Sequence, residues 1–368
     1  MSLLSEGKII SETYEVERFL GEGAFAEVYR VKHRFLGRQA MKVFKIVGIT
    51  IEEIEKMLGE AILLSRIGHP NIIRVFDANI TETPKGLCGF FTMEYVAGGS
   101  LDQFWRSHGA QFVPIETAVE ILRQVCRGLT IAHDEKPPII HRDIKPQNIL
   151  IGYDATGIRA RISDFGLAKR VNPLTLLASA RGTRCFKAPE AFRDFQSDSC
   201  AGDVWALGST LYLLLTDQLP FPGIADMDIL ESKCFEQPTI LPHRLNPRID
   251  TKLEKIILKA LKIKPEERYS NAREMLGDLE KWKICPLGET EKHSNERSGY
   301  MSKSALGQFS QTDGHIAQGM VTNATKLSRQ AGKLMEAADL LEEAMNKWPK
   351  LRHEYEYQLK LWRRGVVM

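Results

Sequence analysis

The 368-residue chain has little that would tie it to a membrane, a metal cluster or an oxidising compartment. Its longest apolar run, about Val204 to Leu215, falls well short of the ~20 residues a spanning helix needs, and it reads as a buried helix. Met1 to Glu6 carries no basic residue and no long apolar stretch follows, so no secretory signal is read there. The six cysteines (Cys88, Cys126, Cys185, Cys200, Cys234, Cys285) are widely spaced and form no CxxC pair. That argues against a zinc site and a disulfide framework, and it fits a reducing, cytoplasmic location. An excess of one charge is also missing. Against 50 Lys and Arg stand 47 Asp and Glu, a net charge of +3, which gives no argument for a nucleic-acid partner. What remains is a globular composition, 43% hydrophobic and 26% charged, long enough for two or three domains.

Three regions separate. Residues 12–283 alternate apolar runs with turn signals. Residues 286–316 are rich in Ser, Gly, Lys, Glu and Gln and read as a flexible linker; residues 317–368 turn helical. The first region opens with alternating segments, Tyr14–Leu20, Glu27–Val31 and Ala40–Phe44, separated by Gly21, Gly23 and Gly37. These predict strands. A helix is expected from about Glu52 to Arg66, stopped by His69-Pro70-Asn71, and apolar-periodic segments at 115–133, 203–217, 251–262 and 271–282 predict further helices. A small β-rich part followed by a larger α-rich part predicts an α+β chain with two lobes.

The chemistry lies in four places. Gly21-Glu22-Gly23-Ala24-Phe25-Ala26-Glu27-Val28 sits between two predicted strands, which excludes a dinucleotide-binding turn, since that needs a helix next. Its glycines would let backbone N–H groups approach phosphates; alone, a plain hairpin turn explains it equally well. Lys42 stands on a strand between Met41 and Val43. It is either a solvated face residue or a phosphate ligand, and a buried ammonium would need a carboxylate, for which mid-helix Glu60 is the natural candidate. His141-Arg142-Asp143-Ile144-Lys145-Pro146-Gln147-Asn148 packs more donors and charges together than a core tolerates. Downstream lies Asp164-Phe165-Gly166. One of the two Asp carboxylates could orient a hydroxyl nucleophile, and the other, with Asn148, offers hard oxygen ligands of the kind Mg²⁺ takes.

In this order, and joined by Ala188-Pro189-Glu190, these segments resemble the eukaryotic-type (Hanks-type) serine/threonine protein kinase family over about residues 14–283. The resemblance implies a two-lobed fold with a small β-rich N-lobe and a larger α-helical C-lobe. It implies that Gly21 to Ala26 cover the ATP phosphates, that Val28, Ala40 and Leu150 sandwich adenine, and that Met93 is the gatekeeper before a hinge at Glu94 to Val96. Lys42 would hold the α- and β-phosphates and pair with Glu60. Asp143 would be the catalytic base, Lys145 would stabilise the transferring phosphoryl group, and Asn148 and Asp164 would bind Mg²⁺. Lys145 and Thr183 look like the serine/threonine branch. Phe186 stands where the family more often has Tyr, so one hydroxyl contact is lost. Arg142 would receive a phosphate from the activation segment, where Ser179 is the first choice ahead of Thr175 and Thr183. Asp203, Glu190 and Arg268 would be structural, Asp203 anchoring the catalytic loop and Arg268 pairing with Glu190.

In the tail, Leu327, Ala331, Leu334, Ala338, Leu341, Met345 and Trp348 recur at steps of three and four, and Leu351, Tyr355, Leu359 and Trp362 form a second face after Pro349. This predicts a C-terminal α-helical hairpin, similar to one tetratricopeptide-like repeat. Such a hairpin either packs on the catalytic unit or on its own copy, or offers a surface to a protein partner. The function expected is transfer of the ATP γ-phosphoryl group to Ser or Thr of a protein substrate, with neither nucleic acid nor membrane as partner. The alternative is a catalytically weak pseudokinase scaffold that binds partners through the kinase fold and the tail. A small-molecule phosphotransferase is a third reading, against which the peptide-docking segment, Asp203 and Arg268 argue.

Overall fold

The structure, a computed structural model, describes residues 2–23, 25–109, 111–165, 184–193, 198–221, 235, 239–283 and 311–366. Six antiparallel strands form the first lobe: β1 (Ile9–Ile10), β2 (Tyr14–Glu22), β3 (Ala26–His33), β4 (Gly37–Val47), β5 (Val75–Thr83) and β6 (Gly86–Glu94), in the order β1-β2-β3-β4-β6-β5. Helix α1 (Ile51–Ile67) packs beside them. A capping box between Thr50 and Glu53 starts it, and Gly68, at φ 72°, ends it in the left-handed conformation that glycine adopts without a Cβ penalty. The sheet buries two faces. One gathers Leu3, Leu4, Ile10, Tyr14, Val16, Tyr29, Val31, Met41 and Phe90; the other gathers Ala40, Phe44, Ile54, Leu58, Phe91 and Met93. The lobe therefore begins before residue 12. Leu3 and Leu4 are buried, Leu3 N–H donates to Glu27 Oε2 at 2.8 Å, and β1 pairs with β2. The short apolar stretches at 3–4 and 9–10 have no periodicity to announce them.

The second lobe is helical. Its elements are α2 (Leu101–Arg106), α3 (Ile115–His133), the hairpin β7 (Ile149–Asp154)–β8 (Gly157–Ile162), α4 (Pro189–Arg193), α5 (Cys200–Thr216), α6 (Pro242–Leu245), α7 (Thr251–Ala260) and α8 (Ala272–Lys281). The apolar run of the sequence is α5. It is buried almost throughout, with Trp205, Leu211 and Leu214 fully enclosed by α3, α7 and α8. Among the described residues no helix is long and apolar enough to cross a membrane.

The tail forms three helices, α9 (Gln311–Ser328), α10 (Leu334–Lys347) and α11 (Leu351–Arg363), where the apolar seam predicts a hairpin. Helix α9 starts ahead of the expected boundary at 317; the rest of the expected linker, 286–310, lies outside the described residues. Gly332, at φ 74°, turns the chain between α9 and α10 and leaves Ala331 exposed, so a seam that looks continuous folds back on itself. Its other members still meet in one core: Leu327, Leu334, Ala338, Leu341, Met345 and Trp348 pack with Leu359 and Trp362. Tyr153 of β7 joins them, and these helices therefore pack on the second lobe.

Candidate active site

The β7–β8 hairpin, the 3₁₀ turn at Pro146–Asn148 and the loop before it bring the polar cluster to the junction of the lobes. Asp203, at the N-terminal end of α5, holds that loop. Its Oδ2 accepts from His141 N–H at 2.7 Å and its Oδ1 from Arg142 N–H at 2.9 Å, while His133 Nε2 lies 3.1 Å from Oδ2. Burial acts to raise the pKa of Asp203. The His133 hydrogen bond, the nearby imidazoles and the His141 amide outweigh it and hold the carboxyl below its ordinary value. The anchor fixes Arg142 at φ 71°, a backbone region in which a non-glycine residue is strained. His141 is fully buried with its Nε2 2.8 Å from Ser163 O, and its Nδ1 accepts from Asp143 N–H at 3.2 Å. Burial pushes its pKa down, in keeping with a neutral ring that donates at one nitrogen and accepts at the other.

Asp143, Lys145 and Asn148 converge. Lys145 Nζ donates to Asp143 Oδ2 at 2.7 Å, and Asn148 Nδ2 donates to the same oxygen and to Asp143 O, each at 2.8 Å. Asn148 thus spends its amide nitrogen on Asp143, which leaves its carbonyl oxygen for a cation. Ser163 N–H donates to Asn148 O at 2.9 Å and ties this turn to the strand that delivers Asp164.

From the first lobe, Lys42 reaches across. Its Nζ lies 2.7 Å from Asp164 Oδ1. Asp164 is at φ 66°, and Lys42 holds its carboxyl below the ordinary range although burial alone would raise it. The expected pairing of Lys42 with Glu60 is therefore corrected: Glu60 pairs with Arg142, whose Nη1 lies 3.2 Å from Glu60 Oε2. The guanidinium of Arg142, fixed by its strained backbone and by a bond to Ile140 O, meets α1 and takes the carboxylate first. Its Nε donates to Asp198 at 2.7 Å, so Arg142 already holds two carboxylates where a phosphate was expected. Asp198 gave no sign of this in the sequence.

Five residues of the expected nucleotide site lie together. Val28, Ala40, Leu150, Val96 and Met93 share one apolar cluster. Gly21, Glu22 and Gly23 close the β2–β3 turn, where Gly23 N–H donates to Ala26 O at 2.8 Å, and Phe25 and Ala26 lead into β3. Ala24 lies outside the described residues, as do Gly166, Thr175, Ser179 and Thr183. Glu94 pairs with Arg161 of β8 at 3.1 Å, joining the hinge to the second lobe. Arg268 and Glu190 form the expected pair through two parallel bonds of 2.7 Å, and the arginine also donates to Lys262 O and Ile263 O. Phe186 is buried, and Lys187 Nζ donates to Arg142 O at 2.5 Å.

Among the described residues no three His, Cys, Asp or Glu side chains cluster as a metal cage. Two oxygen donors, from Asn148 and Asp164, suit Mg²⁺, which commonly takes few protein ligands and completes its shell with phosphates and water.

Comparison with known proteins agrees with this geometry. Residues 14–279 match the protein kinase domain family. A probable serine/threonine-protein kinase of Clostridium perfringens is 33% identical over 284 residues, covering 76% of this chain and 40% of that protein. The serine/threonine-protein kinase PknB of Mycobacterium tuberculosis is 33% identical over 276 residues, covering 73% of this chain and 43% of the relative. The chain thus spans under half the length of these relatives. Among solved structures, the kinase domain of Mycobacterium tuberculosis PknI is similar, with a TM-score of 0.56 and 25% identity, over 75% of this chain and 98% of that one. With the family match running through more than half its length and the catalytic-loop geometry in place, this chain belongs to the protein kinase family.

Proposed function

We propose that the protein is a serine/threonine protein kinase that transfers the γ-phosphoryl group of ATP to Ser or Thr hydroxyls of protein substrates. The observation that carries this reading is the convergence of Lys145 and Asn148 on one oxygen of Asp143. That arrangement fixes the carboxylate, and its other oxygen is the one to accept the proton of an incoming hydroxyl. Lys145 carries positive charge beside the same carboxylate, where it would offset the charge on a phosphoryl group in flight. Asn148 and Asp164 would hold Mg²⁺, which supplies neutralisation of phosphate charge when bound.

Lys42 and Asp164 neutralise each other at 2.7 Å, and Glu60 is held by Arg142. Nucleotide would draw Lys42 onto its phosphates, and Glu60 is the carboxylate on α1 that could follow. A phosphate on the activation segment would compete with Glu60 and Asp198 for Arg142, a guanidinium suited to bidentate contacts, and release Glu60 for that role. Lys42, Asp143, Asn148 and Asp164, the groups a scaffold of this fold usually lacks in part, are all present, which is why the scaffold alternative is not preferred.

The test is transfer of labelled phosphate from Mg·ATP to a generic basic protein by the full chain, beside Asp143→Asn and Asp164→Ala. Loss of the base should lower turnover by roughly 10²–10⁴, and loss of the carboxylate ligand should abolish it. Undiminished transfer by either variant would refute the assignment.

A further inference from the structure

One carboxylate of the tail touches two strands of the first lobe and the segment that leaves it. Glu343, on α10, is buried. Its Oε1 accepts from Arg30 Nη1 at 2.6 Å and from the Tyr95 hydroxyl at 2.5 Å, and its Oε2 lies 2.8 Å from Arg18 Nη2. Arg18 and Arg30 are cross-strand partners on β2 and β3, the two strands joined by the glycine-rich turn. Two guanidinium groups side by side on one sheet repel. An acid between them turns the repulsion into attraction, and here that acid comes from a helix 248 positions beyond Tyr95. Glu17 also pairs with Arg30 at 2.6 Å, so Arg18 is the guanidinium that depends most on Glu343. Tyr95 itself lies between Glu94 and Val96, in the segment that links the lobes.

The same helices grip the other lobe. Arg352 Nη1 donates to Ser107 Oγ at 2.6 Å with its guanidinium over the Phe104 ring, and Arg364 Nε donates to Ala155 O at 2.8 Å. Between these grips α10 lies against the linking segment with no room to spare. A Cβ added at Gly98 would stand 2.6 Å from Glu342 Oε1 and 2.3 Å from Ile151 O.

We infer that Glu343 is a positioning residue of the nucleotide site. Through Tyr95, Arg18 and Arg30 it sets where the linking segment and the glycine-rich hairpin stand, which makes the tail helices part of the apparatus that shapes the ATP pocket. The inference rests on the proposed kinase activity. It follows from which groups the carboxylate holds: on the proposed reading the hairpin and the linking segment face nucleotide, whereas Asp143, Lys145 and Asn148 bond to one another, Asn148 O also accepting from Ser163 N–H, with no hydrogen bond or ion pair to α10 among the described residues. Loss of Glu343 should therefore act on nucleotide binding and leave the acceptor hydroxyl's surroundings intact.

The experiment uses the full chain and two variants. Glu343→Gln keeps the shape and removes the charge; Tyr95→Phe removes one hydroxyl and decides the matter if the first variant does not fold. Calorimetric titration with Mg·ADP and steady-state kinetics at varied ATP are the readouts, with thermal unfolding alongside. We expect Glu343→Gln to weaken Mg·ADP and raise the KM for ATP by about tenfold, the scale of one lost charge-assisted contact. Tyr95→Phe should shift both by a few-fold in the same direction, and in each variant kcat and the KM for the protein acceptor should stay near wild type. Folded variants with a lowered unfolding temperature but wild-type nucleotide affinity would show a purely structural role and overturn the inference. Wild-type protein that does not bind Mg·ADP would overturn the kinase reading and the inference with it.

Discussion

Asparagine in place of Asp203 isolates what the buried anchor does. The carboxylate serves two backbone donors, His141 and Arg142, with separate oxygens, and faces His133 as well. Asn keeps the shape but has one accepting oxygen, so one of the two amides must face an NH₂ group. A buried donor left without an acceptor costs about 1–3 kcal/mol, and losing the charge weakens the remaining bond, since charge-assisted bonds are roughly twice as strong as neutral ones. Together these amount to about 3 kcal/mol, which corresponds to a urea midpoint lower by about 1 M or more. The consequence for activity follows from strain. Arg142 sits at φ 71° because the anchor holds it there, and backbone strain of that kind costs roughly 1–3 kcal/mol. Once released, the loop would relax and carry Asp143 away from its bonds to Lys145 and Asn148. Turnover should then fall at least about tenfold, the effect of one 1.4 kcal/mol misplacement, while the KM for ATP changes little. The pH dependence has a definite sign. The carboxyl's pKa is depressed on folding, so its contribution is present above the unfolded value of 3.8 and is lost as pH falls through that value toward the folded one. The gap between wild type and Asp203→Asn should accordingly be full at pH 7 and narrow below pH 3.8. Urea unfolding across that range with parallel kinetics is the assay. A variant within about 0.5 kcal/mol of wild type, the scale of an ordinary surface change, with full turnover, would refute the reasoning.

Arg268→Ala leaves Glu190 without its bidentate partner and three carbonyl oxygens without a donor; a loss of about 3–5 kcal/mol is expected, read as a lowered thermal midpoint, and an unchanged midpoint would contradict it. Glu342 is enclosed between α10 and the linking segment, and burial pushes its pKa from 4.5 up to about 7 despite Arg363 and Arg161, with Asp339 adding to the rise. The folded state therefore holds a proton that the unfolded state has released between those two values, so stability falls as pH rises through the window, by up to about 3 kcal/mol. Glu342→Gln should flatten that part of a stability-against-pH curve, since Arg363 retains Asp339 at 2.8 Å; an identical slope in wild type and variant would count against the burial argument.

Much of the catalytic unit was readable in the residues. The helices at 115–133 and 251–262 and the strands around Gly21 announce themselves by period and punctuation, and the polar density of His141 to Asn148 marks a site because a core excludes it. What escaped depends on contacts distant in sequence. Glu60 was expected beside Lys42, but which carboxylate a lysine meets is set by the placement of α1 and by the competing guanidinium of Arg142, neither of which is local. The break at Gly332 was masked by apolar residues that keep helical spacing across a turn. Glu342 and Glu343 carried a faint signal, two adjacent acids between Leu341 and Ala344 on an apolar seam, where burial implies partners; the identity of those partners was not legible. Thr175, Ser179 and Thr183, which the sequence offers as candidate phosphate acceptors, lie outside the described residues.

The family match ends at residue 279 and begins at 14, but the cooperative unit does not respect either limit. Upstream, Leu3 and Leu4 pack into the buried face of the sheet; downstream, the tail screens Arg18 from Arg30 and packs against Tyr153. A catalytic piece trimmed to the homologous limits would keep Glu17 on Arg30 but leave Arg18 beside it without the Glu343 carboxylate, and would expose more aromatic surface at its waist. Its solubility and nucleotide affinity would report the trimming as much as the enzyme, so measurements made on such a fragment belong to a different molecule.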